Sequence, residues 1–202
     1  MTLIIDTSYP PAPPLPTEKK WPPQGKWTYE EFRRLPDDGR RYEIIEGVLY
    51  MSPAPRTKHQ ICITKLAYRL ERYNEKQHAG LVLVAPVDVY FSTFTTVEPD
   101  IVFVMQSRLS IVQEEKIVGA PDLAVEVLSP STAQVDRGKK FQLYAQAGVG
   151  EYWIVDPEMR IVELFVLRKG AYELLGKYGV GELVRSEILS GFKVNVEEIC
   201  PQ

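Results

Sequence analysis

Leu123-Ala124-Val125-Glu126-Val127-Leu128-Ser129-Pro130-Ser131-Thr132 is the stretch on which the fold turns. Its first six residues are apolar except for Glu126, the pattern of a strand covered on both faces in the middle of a sheet. Ser129-Pro130-Ser131-Thr132 breaks that strand, and an amphipathic helix is expected over 133–147, stopped by Gly148. A carboxylate inside a buried strand is unfavourable unless it is paired or binds a metal. Glu126 is therefore the residue around which to look for chemistry.

Upstream, Leu81 to Phe91 and Val97 to Val104 read as strands rich in β-branched residues. Tyr42 to Met51 reads as two strands hinged about Gly47. Thr57 to Gln77 reads as a helix with His59, Ile63, Leu66 and Leu70 on its apolar stripe and Lys58, Lys65, Arg69 and Arg72 largely off it. Thr28 and Glu31 form a capping-box pattern that opens a short helix through Phe32 and Leu35, and order is expected from near Trp27. Downstream, Glu151 to Val155 and Arg160 to Leu167 are strands, and the chain to Val196 is turn-rich and strand-like. With no internal repeat, this order predicts one α/β (α+β) domain over residues 26–202, a central mixed β-sheet flanked by helices. Residues 1–25 are crowded with proline, which favours polyproline geometry and an arm or linker.

The composition fits that reading. A chain of 202 residues, 45% hydrophobic and 25% charged, supports one sizeable domain. Cys62 and Cys200 lie far apart and form no pair-spaced motif, which argues against a disulfide scaffold or thiolate metal site and suits a reducing cytoplasm. No stretch has the length and apolarity of a membrane span or the pattern of a secretory leader, so no membrane association is expected. The net charge of −3 means that any nucleic-acid site must be a local basic patch.

Three residues carry the chemistry. Asp100 follows Pro99 and opens the run Ile101-Val102-Phe103-Val104, so it can converge with Glu126 at one end of the sheet. Two such carboxylates with water suit magnesium or manganese. Asp136, Lys140 and Tyr144 recur at four-residue steps and share a helix face, so Lys140 can be held by Asp136 and lean toward Glu126. An ammonium there orients a water and stabilises developing negative charge. The plainer readings are a buried ion pair for Glu126, a turn cap for Asp100 and a solvated ion pair for Lys140. Asp122 shares a strand face with Ala124 and Glu126 and reads as a strand-entrance residue, a metal contact being the alternative; Asp156 reads as a turn former.

Read together, Asp100, Glu126 and Lys140 resemble the PD-(D/E)XK nuclease superfamily. Pro99-Asp100 matches its first element and Glu126-Val127-Leu128 its second, with Leu128 where that motif has lysine; the resemblance implies that Lys140 on the following helix takes the role. Tyr42-Glu43-Ile44-Ile45-Glu46-Gly47, Glu126 through Thr132, Asp136…Lys140…Tyr144 and Gly148 through Pro157 further resemble the Uma-type family of restriction endonucleases, over nearly the whole ordered chain. That resemblance implies a restriction-endonuclease-like core and Mg2+- or Mn2+-dependent hydrolysis of DNA phosphodiesters, with metal on Asp100, Glu126 and the Val127 carbonyl. It also implies site roles for Glu43 and His59, and a homodimer, since cutting two strands calls for two sites. On the residues alone, Glu43 beside Arg40 and Arg41 is equally a surface ion pair, and His59 equally a hydrogen-bonded core histidine. Arg56, Lys58, Arg69, Arg137 and Lys139 are candidate phosphate contacts, or else a solvated face. Two rival functions stay open: an inactive nuclease fold that binds DNA or protein, favoured by Leu128 and the acidic balance, and a metal-dependent phosphoesterase acting on nucleotides.

Overall fold

Leu123 to Val127 is a strand with all five residues buried, and the domain is built on its two faces. The computed structural model describes residues 21–200. Strands β1 (Arg41–Ile45), β2 (Val48–Ser52), β3 (Gly80–Val84), β4 (Asp88–Ser92), β5 (Thr95–Val97) and β6 (Ile101–Met105) are followed by β7 (Lys116–Val118) and β8 (Leu123–Val127). β9 (Glu151–Asp156), β10 (Ile161–Arg168), β11 (Ala171–Tyr178), β12 (Leu183–Arg185) and β13 (Lys193–Asn195) complete the strands. The helices are α1 (Tyr29–Phe32), α2 (Thr57–Gln77), α3 (Ala133–Val135), α4 (Phe141–Ala147) and α5 (Val196–Ile199).

The central six-stranded sheet runs β11-β10-β9-β8-β6-β3 and is mixed, because β8 pairs parallel with β9 and antiparallel with β6. A five-stranded sheet, β2-β1-β5-β4-β7, and the hairpin β12-β13 complete the architecture. Alternation along β8 sends Leu123, Val125 and Val127 into a core with Leu66 and Leu70 of α2 and the C-terminal Val194 and Ile199. Ala124 and Leu128 join a second core with Tyr144 of α4, Tyr152 and Ile154 of β9, and Val89 and Val97 of the five-stranded sheet. Glu126 lies on this second face. No helix among the described residues is long and apolar enough to cross a membrane.

Several expectations agree with the elements found. α2 spans Thr57 to Gln77, with His59, Ile63, Leu66 and Leu70 buried. The β1–β2 hairpin turns through Glu46 (φ 53°) and Gly47 (φ 74°), both left-handed, as a tight hairpin turn requires. The Thr28 amide donates to Glu31 Oε2 at 3.1 Å in the expected capping box. Other expectations need correction. The run from Leu81 to Phe91 is two strands, β3 and β4, which enter different sheets; the run from Val97 to Val104 is likewise split into β5 and β6. Pro86 and Pro99, which have no N–H to give a ladder, lie in the two gaps. The helix over 133–147 is interrupted by a π turn at Asp136–Lys140, between α3 and α4. The proline-rich arm falls outside the described residues up to position 20. Its described end packs on the domain, with Trp21 stacked on Trp27 at 5.5 Å and the Gly25 amide donating to Gly47 O at 2.8 Å. The two cysteines meet in the fold as buried free thiols, Sγ to Sγ 3.7 Å, joining α2 to the chain's C-terminal turn.

Glu151 opens β9 and holds that C-terminal region to the sheet, accepting from Trp153 Nε1 (2.6 Å) and the amides of Glu187 (2.9 Å) and Ile188 (3.1 Å). Burial pushes its carboxyl above the ordinary 4.5 in spite of these donors. A folded-state pKa above the unfolded one gives a contribution that is complete below pH 4.5 and lost as pH rises through the folded value. Glu151→Gln is expected to lose less stability than the wild type as pH rises from about 4 to 8, measured by urea denaturation; parallel curves would contradict this.

Candidate active site

A cavity of about 200 Å³ opens where the two main sheets meet, at the Asp100 end of β6 and the Glu126 end of β8. Glu43 of β1, His59 in the first turn of α2, Asp100, Glu126, and Asp136 and Lys140 of the π turn all line it. Arg41, Arg56 and the turn Ser129–Thr132 form the rest of the wall that bears on the chemistry. The sequence predicts Asp100, Glu126, Lys140, Glu43 and His59 as site residues, and the fold brings all five to this one cavity.

Lys140 is the hub. Its Nζ lies 2.8 Å from Glu43 Oε1, 2.9 Å from Glu126 Oε1 and 3.6 Å from Asp136 Oδ1, and the side chain is 4% exposed. Tyr144, one helical turn on, donates its hydroxyl to the same Glu126 Oε1 at 2.7 Å. Burial disfavours the Lys140 ammonium, but Glu126, Glu43 and Asp136 outweigh it and hold its pKa well above the ordinary lysine range. Glu126 is driven the other way: burial pushes its carboxyl well above the usual range, with Asp136, Asp100 and Glu43 adding to the push and Lys140 opposing it.

Asp100 sits in a different environment. Its Oδ1 accepts from an Arg41 guanidinium nitrogen at 2.8 Å, and its Oδ2 from the Val127 amide at 2.8 Å, with His59 Nε2 at 3.2 Å. Burial raises its pKa, but His59 and Arg41 more than offset this and keep it below the normal aspartate value. Two acids of one cavity are thus pushed apart in acidity, the arrangement by which sites assign different protonation states to like groups.

The cavity gathers four acids, Glu43, Asp100, Glu126 and Asp136, around the cations Lys140 and Arg41, with Arg56 exposed at the wall. Among the described residues both Asp136 oxygens and His59 Nδ1 are buried without a hydrogen-bond partner. Hard oxygen donors with surplus negative charge, including an Asp136 carboxylate that Lys140 approaches only to 3.6 Å, are chemistry that fits magnesium or manganese. In the fold as it stands the carboxylates are directed at Lys140, Tyr144, Arg41 and His59, and no three ligand-type side chains among the described residues converge at metal spacing.

The remaining sequence candidates fall into place elsewhere. Arg56 lines the cavity. Lys58 pairs with Glu158 (2.9 Å), Arg69 with Glu198 (3.0 Å) and Arg137 with Glu163, while Lys139 lies over the Tyr50 ring at 5.2 Å. Asp122 accepts from the Met105 amide and Arg108, both at 2.7 Å, and so secures the entrance of β8. Asp156 accepts from the amides of Glu158 and Met159 in a turn. Leu128 is buried in the second core. The residues that sequence reasoning missed are Arg41 and Glu98. Arg41 bridges Asp100 and Glu98 Oε2 (3.2 Å), and the Glu98 amide donates to Glu43 Oε1 at 2.7 Å. Arg41 and Glu43 are two apart on β1 and share a face, a signal that was available.

The sequence model of the Uma2 family, described as "Putative restriction endonuclease", matches residues 29–197. Among solved structures, a "putative nuclease belonging to DUF820" from Anabaena variabilis ATCC 29413 is similar in fold, with a TM-score of 0.71 at 22% identity over 85% of this chain and 96% of that one. No curated protein gives a significant match.

Removing the hub should be felt by the whole cluster. Lys140→Met leaves Glu43, Glu126 and Asp136 buried without their shared ammonium, and is expected to destabilise the fold by about 3–5 kcal/mol. Adding Glu126→Gln should recover part of that loss, giving a coupling above about 1 kcal/mol in a double-mutant cycle by urea denaturation. Strictly additive losses would mean that the two groups do not act on each other.

Proposed function

The chain belongs to the Uma2 family, and from that premise we propose that it is a metal-dependent endonuclease hydrolysing phosphodiester bonds of DNA. The observation that carries this reading is the convergence of Asp100, Glu126 and Lys140, from a strand entrance, a strand interior and a helical turn, on one cavity. Asp100, Glu126 and the Val127 carbonyl are the groups that would hold magnesium or manganese. Such an ion, when bound, supplies Lewis acidity and a more acidic water. Lys140 orients the attacking water and offsets negative charge as the phosphorus becomes five-coordinate. Arg41 and His59 position Asp100, Tyr144 positions Glu126, and Glu43 positions Lys140. Arg56 offers positive charge to the incoming phosphate. In this reading residues 26–202 are the catalytic domain and 1–25 an arm, two copies act as a homodimer on two strands, and the reducing cytoplasm suits the unbridged cysteines.

One observation favours a second reading. The Lys140 ammonium is buried and already engaged by Glu43 and Glu126, and an inactive nuclease fold that binds DNA or protein would retain such a network for stability. The deciding experiment is cleavage of supercoiled plasmid and single-stranded DNA with magnesium or manganese, comparing wild type, Asp100→Asn and Glu126→Gln. Metal-dependent cutting that falls by at least about a hundredfold in both variants is the expected result. Salt-sensitive binding without cutting would favour the binding module. Hydrolysis of small phosphodiesters with no affinity for DNA would favour a nucleotide phosphoesterase.

A further inference from the structure

Helix α2 carries its charge asymmetrically. Lys58, Lys65, Arg69, Arg72 and Lys76 fall within roughly 60° of arc at 3.6 residues per turn, while its acids Glu71 and Glu75 lie off that stripe. The buried stripe of His59, Ile63, Leu66 and Leu70 is a third face. Lys58 is paired with Glu158 at 2.9 Å and Arg69 with Glu198 at 3.0 Å, so Lys65, Arg72 and Lys76 carry the excess positive charge of the line, in a protein of net charge −3.

The stripe has a beginning and an end. It begins at Lys58, beside His59 of the cavity wall, and about 27 Å further along the helix it reaches Lys76. There it enters a groove of about 310 Å³ between α2 and the β12–β13 hairpin, lined by Arg69, Arg72, Lys76 and Lys193 against a single carboxylate, Glu198. Arg69 is the cation that Glu198 holds, at 3.0 Å. Among the described residues Arg72, Lys76 and Lys193 have no carboxylate within ion-pair distance, and all three are exposed. Tyr68 stands beside them at 55% exposure, with the guanidinium carbons of Arg69 and Arg72 at 5.9 and 5.8 Å from its ring centroid.

We propose that this stripe and groove are the track for the phosphate backbone of duplex DNA leading away from the cavity, with Arg72, Lys76 and Lys193 as its distal contacts. The inference rests on the nuclease reading and adds to it a surface and a polarity: the scissile bond at the start of α2, the flanking duplex toward its end. At about 3.4 Å per phosphate along one strand, the stripe spans about eight base pairs. The straight line of cations suits a rod-like polyanion better than a compact one, and the exposed Tyr68 flanked by arginines offers a flat contact at its edge.

The test is binding of a fluorescein-labelled duplex of about 30 base pairs by the full chain, read by anisotropy between roughly 50 and 200 mM salt in calcium and in EDTA. Cleavage of plasmid with magnesium is followed in parallel. The triple variant Arg72→Glu, Lys76→Glu and Lys193→Glu is expected to bind at least about tenfold more weakly, with the slope of log K against log salt reduced by up to about 3. The charge-retaining set Arg72→Lys with Lys76→Arg and Lys193→Arg is expected to bind like the wild type. If the triple variant fails to fold, the same positions changed to glutamine carry the test. Wild-type cleavage and binding matched in affinity and salt slope by the triple variant would overturn the track and leave the nuclease reading standing. A wild type that neither binds nor cuts DNA would overturn the nuclease reading, and the track with it.

Discussion

Four carboxylates in one cavity repel each other, and the fold is organised to answer that repulsion. Glu126 cannot leave the middle of β8 without unmaking the strand, so its counter-charge must come to it. The chain meets that demand by breaking after β8 at Ser129–Thr132 and returning along α3, the π turn and α4, which bring Lys140 and Tyr144 onto the same Glu126 oxygen. The π turn carries both Asp136 and Lys140, and both are buried. Asp100 meets the same demand from the opposite side, with Arg41 from the second sheet and His59 from α2. Four elements are thereby tied to one point by charge as well as by apolar packing.

That arrangement explains the two cores. One face of β8 presents only hydrophobic side chains to α2 and the C-terminal segment, and it packs as an ordinary interior. The other face mixes Ala124 and Leu128 with Glu126 and is covered by aromatic rings: Tyr144 and Tyr152 meet edge-on with centroids 5.0 Å apart. Tyrosine suits this layer because its ring packs while its hydroxyl reaches a buried acceptor, as Tyr144 does to Glu126 and Tyr152 to the Asp136 carbonyl at 3.1 Å. Chemistry sits on the face where polar partners can be supplied.

Much of this was legible in local pattern. α2, the β1–β2 hairpin and β8 follow from periodicity and turn residues only a few positions apart, and Glu126 stands out because one charge interrupts an apolar run. Proline was the misread signal. Pro86 lies inside an apolar run and Pro99 between Glu98 and Asp100, and at each, where an amide is missing, the chain passes from one sheet to the other. Asp100 follows Pro99 immediately before β6, its carbonyl accepting from the Ala85 amide at 3.1 Å while its side chain lines the cavity. Arg41 and Glu98 are harder to read for a different reason: their partners lie more than fifty positions away, and the only local signal is that Arg41 shares a strand face with Glu43.

The adjacent thiols of Cys62 and Cys200 give the molecule an internal clock. Both sulfurs are buried where α2 meets the turn that follows α5, so a thiol reagent is expected to reach them through an opening of that contact. The labelling rate is then expected to time the separation of Cys200 from α2, a local opening distinct from global unfolding. Because α2 also carries His59 one turn before Cys62, the same clock is mounted on the helix that reaches the cavity.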